Sequence, residues 1–174
     1  SGNDFGGHKL IQGTRGPTPP TQHIYIRFDL SKLPVNKNQL DRAMTLLTVA
    51  QGGQQTNPAF TVYGVTDELN PEWLETGKGH LNWDTAPCRN DISGQKYLGR
   101  FSFDNTKDRL KNAADAVRFA SRELDDFIRE ANGKLITLVF IPDSNSSRPA
   151  RFKSKEGQPD QAPAIAIRPL KANP

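Results

Sequence analysis

His23-Ile24-Tyr25-Ile26-Arg27-Phe28-Asp29-Leu30-Ser31-Lys32-Leu33-Pro34 alternates strictly, which puts Ile24, Ile26, Phe28 and Leu30 on one face of a strand and Tyr25, Arg27 and Asp29 on the other. The first face must be buried. The second carries an aromatic, a cation and an anion in a row, an arrangement suited to gripping a polar polymer on a flat sheet and equally compatible with an ordinary solvated face.

Outward from that stretch, His8–Gln12 reads as a short strand and the Pro-rich run 13–21 as a loop. Arg42–Gln51 reads as one strand covered in part on both faces, followed by strands at Ala59–Thr66, Tyr97–Phe103 and Ala116–Ala120. The charged segment Asp104–Asp115 between the last two fits a short helix or a loop. Ser121 can cap a helix in which Leu124, Phe127, Ile128 and Ala131 fall at i, i+3, i+4 and i+7, with Asn132-Gly133 to close it. Lys134–Ile141 is apolar on both sides, which implies a central strand, and Arg151–Lys155 and Ala164–Arg168 complete about nine strands. Many short strands with long loops and a single helix predict an all-β fold, an antiparallel β-sandwich of jelly-roll type with one short α-helix.

The 174 residues suit one domain spanning the chain, large enough to bury roughly 70% of its unfolded surface. An apolar fraction of 34%, with 14 Gly and 13 Pro, predicts a thin core and plentiful loops, as in two stacked sheets. A net charge of +4 favours an anionic partner, yet Lys and Arg are not dense enough for a dedicated nucleic-acid binder. No apolar run approaches the ~18 residues of a membrane span. The single Cys88 beside Pro87 forms no intrachain disulfide and reads as a packing residue. The opening Ser1-Gly2-Asn3-Asp4, without Met, fits a module excised from a longer protein or a tag remnant.

A set of short motifs in order resembles the DNRLRE-domain pattern: Tyr25-Ile26-Arg27-Phe28-Asp29-Leu30-Ser31-Lys32-Leu33-Pro34, Ala43-Met44-Thr45-Leu46-Leu47, Val62-Tyr63-Gly64-Val65-Thr66-Asp67, Trp73-Leu74-Glu75, Asn82-Trp83-Asp84-Thr85-Ala86-Pro87, then Phe152-Lys153-Ser154-Lys155-Glu156 with Ala162-Pro163-Ala164-Ile165. The order covers nearly the whole chain. The resemblance implies a jelly-roll sandwich attached to secreted or cell-surface bacterial proteins, among them polysaccharide-degrading enzymes, with alginate-binding carbohydrate-binding modules as relatives. The chain departs from the pattern at Lys153-Ser154-Lys155-Glu156, where Arg is more usual before the Glu, and in the charged segment before Val117.

Acidic sugars are held by aromatic faces and by cations, Arg in bidentate fashion and Lys as a point charge. Tyr25, Arg27, Arg151, Lys153 and Lys155 are therefore the candidate ligand-binding residues. If Phe152 is buried, Arg151, Lys153 and Lys155 point the other way at period two, and sharing a sheet face with Tyr25 and Arg27 would make them one anionic-polymer platform. Separate faces would leave two ordinary rows. Trp73 and Trp83 could stack on sugars, though at the matching motif positions they look like core plugs, and Tyr97 between Lys96 and Arg100 is a weaker surface aromatic.

No cofactor is required by any motif. A structural calcium fits the loop residues Asn3, Asp4, Asp67, Glu68, Asp84 and Asp160, without the spacing that would assign ligands, while His8, His23 and His80 are too scattered for zinc. Gly-x-Ser-x-Gly and the nucleotide-binding glycine patterns are absent, and Asp67, Glu68, Glu75 and Asp84 form no recognisable acid–base pair. The expectation is a monomeric, non-catalytic module for an anionic polysaccharide beside a catalytic neighbour, with no nucleic acid and no membrane span. The alternative is a structural or adhesive spacer that binds no glycan.

Overall fold

A computed structural model describes residues 10–13, 23–33, 37–51, 56–66, 94–106, 116–131, 134–143, 150–154 and 159–170. Within them lie strands β1 (Leu10–Gly13), β2 (Ile24–Asp29), β3 (Leu40–Leu47), β4 (Val49–Gln51), β5 (Ala59–Thr66), β6 (Lys96–Ser102), β7 (Val117–Phe119), β8 (Leu135–Pro142), β9 (Ala150–Lys153) and β10 (Ala164–Pro169), with one α-helix, α1 (Arg122–Glu130). Every described pairing is antiparallel. One layer is the four-stranded sheet β2-β8-β5-β6; facing it are two three-stranded sheets, β10-β3-β7 and β1-β9-β4. Their inner faces share one core, in which Ile24, Ile26, Phe60, Leu138 and Phe140 of the first layer meet Ala43, Leu47, Val49, Phe119 and Phe152 of the second. The fold is an antiparallel β-sandwich.

Strand β8 lies centrally between β2 and β5, and its apolar residues are covered on both faces, Ile136, Leu138 and Phe140 by the main core and Val139 by Tyr25, Tyr63 and Ile141. The expected single strand Arg42–Gln51 is two. Leu47, Thr48 and Val49 are all buried, so alternation fails at Thr48 and the chain passes from one three-stranded sheet to the other, with the Thr48 carbonyl accepting from the Lys153 N–H at 2.9 Å. The described pieces of the chain therefore hold ten strands rather than nine.

Helix α1 closes one side of the sandwich. Ser121 caps it, accepting from the Leu124 N–H at 2.9 Å while its hydroxyl donates to the Leu98 carbonyl of β6. Leu124, Phe127 and Ile128 fill the core, and Glu123 and Asp125 place negative charge in the first turn where the helix dipole favours it. Strand β7 pairs with Thr45, Leu46 and Leu47, so among the described residues no strand lies beside the first half of β3 on that side. Side chains of α1 take its place: Asp125 Oδ1 accepts from the Ala43 N–H at 2.7 Å, and Arg129 donates to the carbonyls of Leu40 and Asp41 at 3.2 and 3.0 Å. Buried backbone groups are thereby satisfied by a carboxylate and a guanidinium.

Thr45 is fully buried opposite Ile165 and Phe119, and its hydroxyl has no hydrogen-bond partner among the described residues. Such a hydroxyl costs free energy that an apolar group of the same shape does not. Thr45→Val is expected to stabilise the domain by about 1 kcal/mol, a rise in melting temperature of about 3 °C. A fall on thermal unfolding would mean that the hydroxyl has a partner.

Candidate functional site

The outer face of β2-β8-β5-β6 is built in rows across the strands. Tyr25 lies opposite Val139, Val139 opposite Tyr63, and Tyr63 opposite Tyr97, so all three tyrosines of the chain fall on one line. At a strand spacing of ~4.8 Å this row runs about 14 Å, from one edge of the sheet to the other. Tyr63 and Tyr97 meet edge to face with ring centroids 5.9 Å apart, while His23 sits beside Tyr25 with its Nδ1 3.3 Å from the hydroxyl. Tyr97 is the most open of the three, 51% exposed. Tyr25 and Tyr63 are half-buried and pack with Ile141 on a small second cluster of buried Val65 and Val139.

A bulge aims Tyr97 onto this face. The β5–β6 register shifts between Val62, opposite Gly99, and Tyr63, opposite Tyr97, so Leu98 is extra. Without the shift Tyr97 would lie opposite Gly64 and face the helix. Gly99, at φ 134°, supplies the conformation the bulge needs, and a Cβ there would stand 3.3 Å from the Phe119 ring.

Charged groups flank the row. On one side Arg27 lies opposite the buried Thr137, one row from Tyr25. On the other, Asp143 accepts from the Thr61 hydroxyl at 2.7 Å and from Arg100 Nε. The Asp143 hydrogen bond, and next its charge, raise the Arg100 pKa above its already high value, so this cation persists at any working pH. Aromatic faces bordered by guanidinium and carboxylate groups can stack on C–H surfaces and hydrogen-bond hydroxyls or acids.

Arg151 and Lys153 lie elsewhere. Phe152 is fully buried, its ring 5.9 Å from Phe60 and 5.8 Å from Phe103, so its two neighbours on β9 face outward as the alternation requires. Strand β9 is central in β1-β9-β4, across the core from β2. Tyr25 and Arg27 therefore do not share a face with Arg151 and Lys153, and the single platform pictured for them is replaced by two separate outer faces. The Arg151 Nε is shielded from solvent and meets no hydrogen-bond partner among the described residues. Lys155, both tryptophans, Cys88, His8, His80 and the calcium candidates Asn3, Asp4, Asp67, Glu68 and Asp84 lie outside the described residues. Among the described residues no group of three or more His, Cys, Asp or Glu side chains is placed to hold a metal ion, and no helix is long and apolar enough to cross a membrane.

No family model and no curated protein matches the chain. Among solved structures it is similar to latent aurone synthase (polyphenol oxidase) from natural source, with TM-score 0.44, 14% identity and coverage of 86% of this chain and 25% of that one. The recombinantly expressed latent aurone synthase gives TM-score 0.45 and 15% identity, with the same coverage of 86% and 25%. The chain thus spans about a quarter of the length of these structures. Likeness of that degree bears on neither activity nor ligand.

Proposed function

We propose that the chain is a non-catalytic carbohydrate-binding module for an anionic polysaccharide, alginate-like or sulfated, within a secreted or cell-surface multidomain protein that carries a catalytic neighbour. Binding is at equilibrium, by a monomer, with no cofactor required. The observation that carries this reading is the row of Tyr25, Tyr63 and Tyr97 across one sheet face, bordered by Arg27 and Arg100. A linear row of aromatic rings running across the strands suits a polymer better than a small molecule, which takes a concave pocket. Arg27 and Arg100 would meet acid groups, while Arg151 and Lys153 add positive potential from the other layer. The motif order resembling the DNRLRE pattern belongs to the same proposal.

Affinity electrophoresis against alginate, a sulfated galactan and a neutral glucan tests it. Retardation by the acidic polymers should exceed that by the glucan and fall as salt rises. Tyr97→Ala should weaken retention about fivefold, from the ~1 kcal/mol that an aromatic contact supplies. Equal retardation by the neutral polymer would remove the anionic part of the reading. The packing of Tyr25 and Tyr63 on Val65 and Val139 favours a second reading, in which the tyrosines cover the sheet of a spacer domain; a flat response to every polysaccharide would select it.

A further inference from the structure

We infer that the outer face of β10-β3-β7 is a second binding face, for an acidic glycan chain, on the far side of the core from the tyrosine row. The register sets its rows: Arg42 opposite Arg168, Met44 opposite Ala166, and Leu46 between Ala164 and Arg118. Two arginines thus stand directly across from one another, a pairing that costs stability wherever no anion lies between them. Among the described residues each has one carboxylate contact, Arg42 Nη1 to Asp125 Oδ2 at 3.4 Å and Arg168 Nε to Asp41 Oδ2 at 2.6 Å. A guanidinium has five donors, and these two side chains are 57% and 66% exposed, so most of each fork is left to solvent. A carboxylate or sulfate bridging the pair would relieve their repulsion and take bidentate hydrogen bonds.

Arg118 is exposed on β7 opposite Leu46, four residues beyond Arg42, an offset of about 13 Å in the strand direction at ~3.3 Å per residue. Between the two cationic ends, exposed Ala164 and Ala166 with half-buried Met44 and Leu46 make a low apolar floor that a sugar ring can lie against. The seven residues of these rows include neither an acid nor an aromatic; the carboxylates nearby are those of Asp125 and Asp41, at the Arg42 and Arg168 end. Cations ~13 Å apart are sparse against the phosphates of duplex DNA, one charge per ~1.7 Å of axis. With no aromatic ring at these positions, single-stranded bases lack the stacking platform that binds them elsewhere. An acidic polysaccharide, with charges spaced along an otherwise uncharged chain, is the polymer this face fits.

The inference rests on arginine spacing and not on the tyrosine row, and one titration separates the two. A fluorescein-labelled oligouronate is titrated, by fluorescence anisotropy at low and moderate salt, with wild type, with the double variant Arg118→Gln and Arg168→Gln, and with Tyr97→Ala. The arginine variant should bind about tenfold more weakly at low salt and show a shallower salt dependence, whereas Tyr97→Ala should keep the wild-type salt slope. Exposed ion pairs hold little of the fold, so the thermal melt of the arginine variant should match wild type within about 2 °C. If it does not, Arg118→Gln alone, expected to weaken binding about threefold, carries the test. Wild-type affinity in the arginine variants overturns the inference even if Tyr97→Ala weakens binding. So does tighter binding of single-stranded DNA of equal charge. Loss in the arginine variants with Tyr97→Ala unchanged would sustain this face and sink the tyrosine row.

Discussion

Replacing Asp125 with alanine is expected to destabilise the domain by about 3 kcal/mol, enough to shift a urea midpoint strongly without changing the slope. Asp125 is 3% exposed, and its carboxylate accepts from the Ala43 N–H on the side of β3 where, among the described residues, no strand pairs with this stretch. Alanine would leave that N–H buried and unsatisfied and would also release Arg42, whose exposed guanidinium contributes little. Asp125→Asn separates these contributions. Its amide oxygen can still accept from Ala43, while its amide nitrogen faces Arg42, so a loss of only about 1 kcal/mol is expected. Equal losses in the two variants would show that the ion pair, and not the backbone hydrogen bond, is what Asp125 supplies.

How far the fold and the site could be read in advance follows from which interactions are local. Alternation along Ile24–Asp29 and around Phe152 is a property of consecutive residues, and so is the Ser121 cap with its i, i+3, i+4 apolar stripe; each of these elements formed where its pattern placed it. The break at Thr48 was less visible, because three buried residues in succession also suit a strand covered on both faces. Sheet membership was not legible at all. Nothing in the spacing of Tyr25 and Arg151 tells that β2 and β9 belong to different sheets, since that depends on pairings between distant segments. The tyrosine row was hidden for the same reason. Tyr63 stands in a visible Thr61, Tyr63, Val65 alternation, but its alignment with Tyr97 depends on the extra residue at Leu98. Gly99 was the available signal, for an isolated glycine inside a strand pattern often marks a bulge.

A second large effect is expected at Gly64, where α1 lies directly on β5. A Cβ at this position would stand 2.7 Å from two atoms of the Phe127 ring and 2.9 Å from a third, all closer than carbon atoms approach one another. Phe127 is buried beside Leu124 and Ile128, so its ring cannot swing into solvent, and the strain must pass to the helix. Gly64→Ala should therefore cost about 2 kcal/mol through overpacking, although alanine suits a strand better than glycine does. The consequence reaches the candidate site, because α1 is tied to β6 through Ser121 and Leu98 and through Lys96 and Glu130. Displacing the helix loosens the strand that holds Tyr97, and amide exchange in β6 should rise more than in β2. Adding Phe127→Leu should recover much of the loss, since the smaller side chain clears the space that the new methyl needs. Failure of that second change to restore stability, or uniform exchange across the sheet, would show that the close approach of Gly64 and Phe127 does not govern how the helix seats.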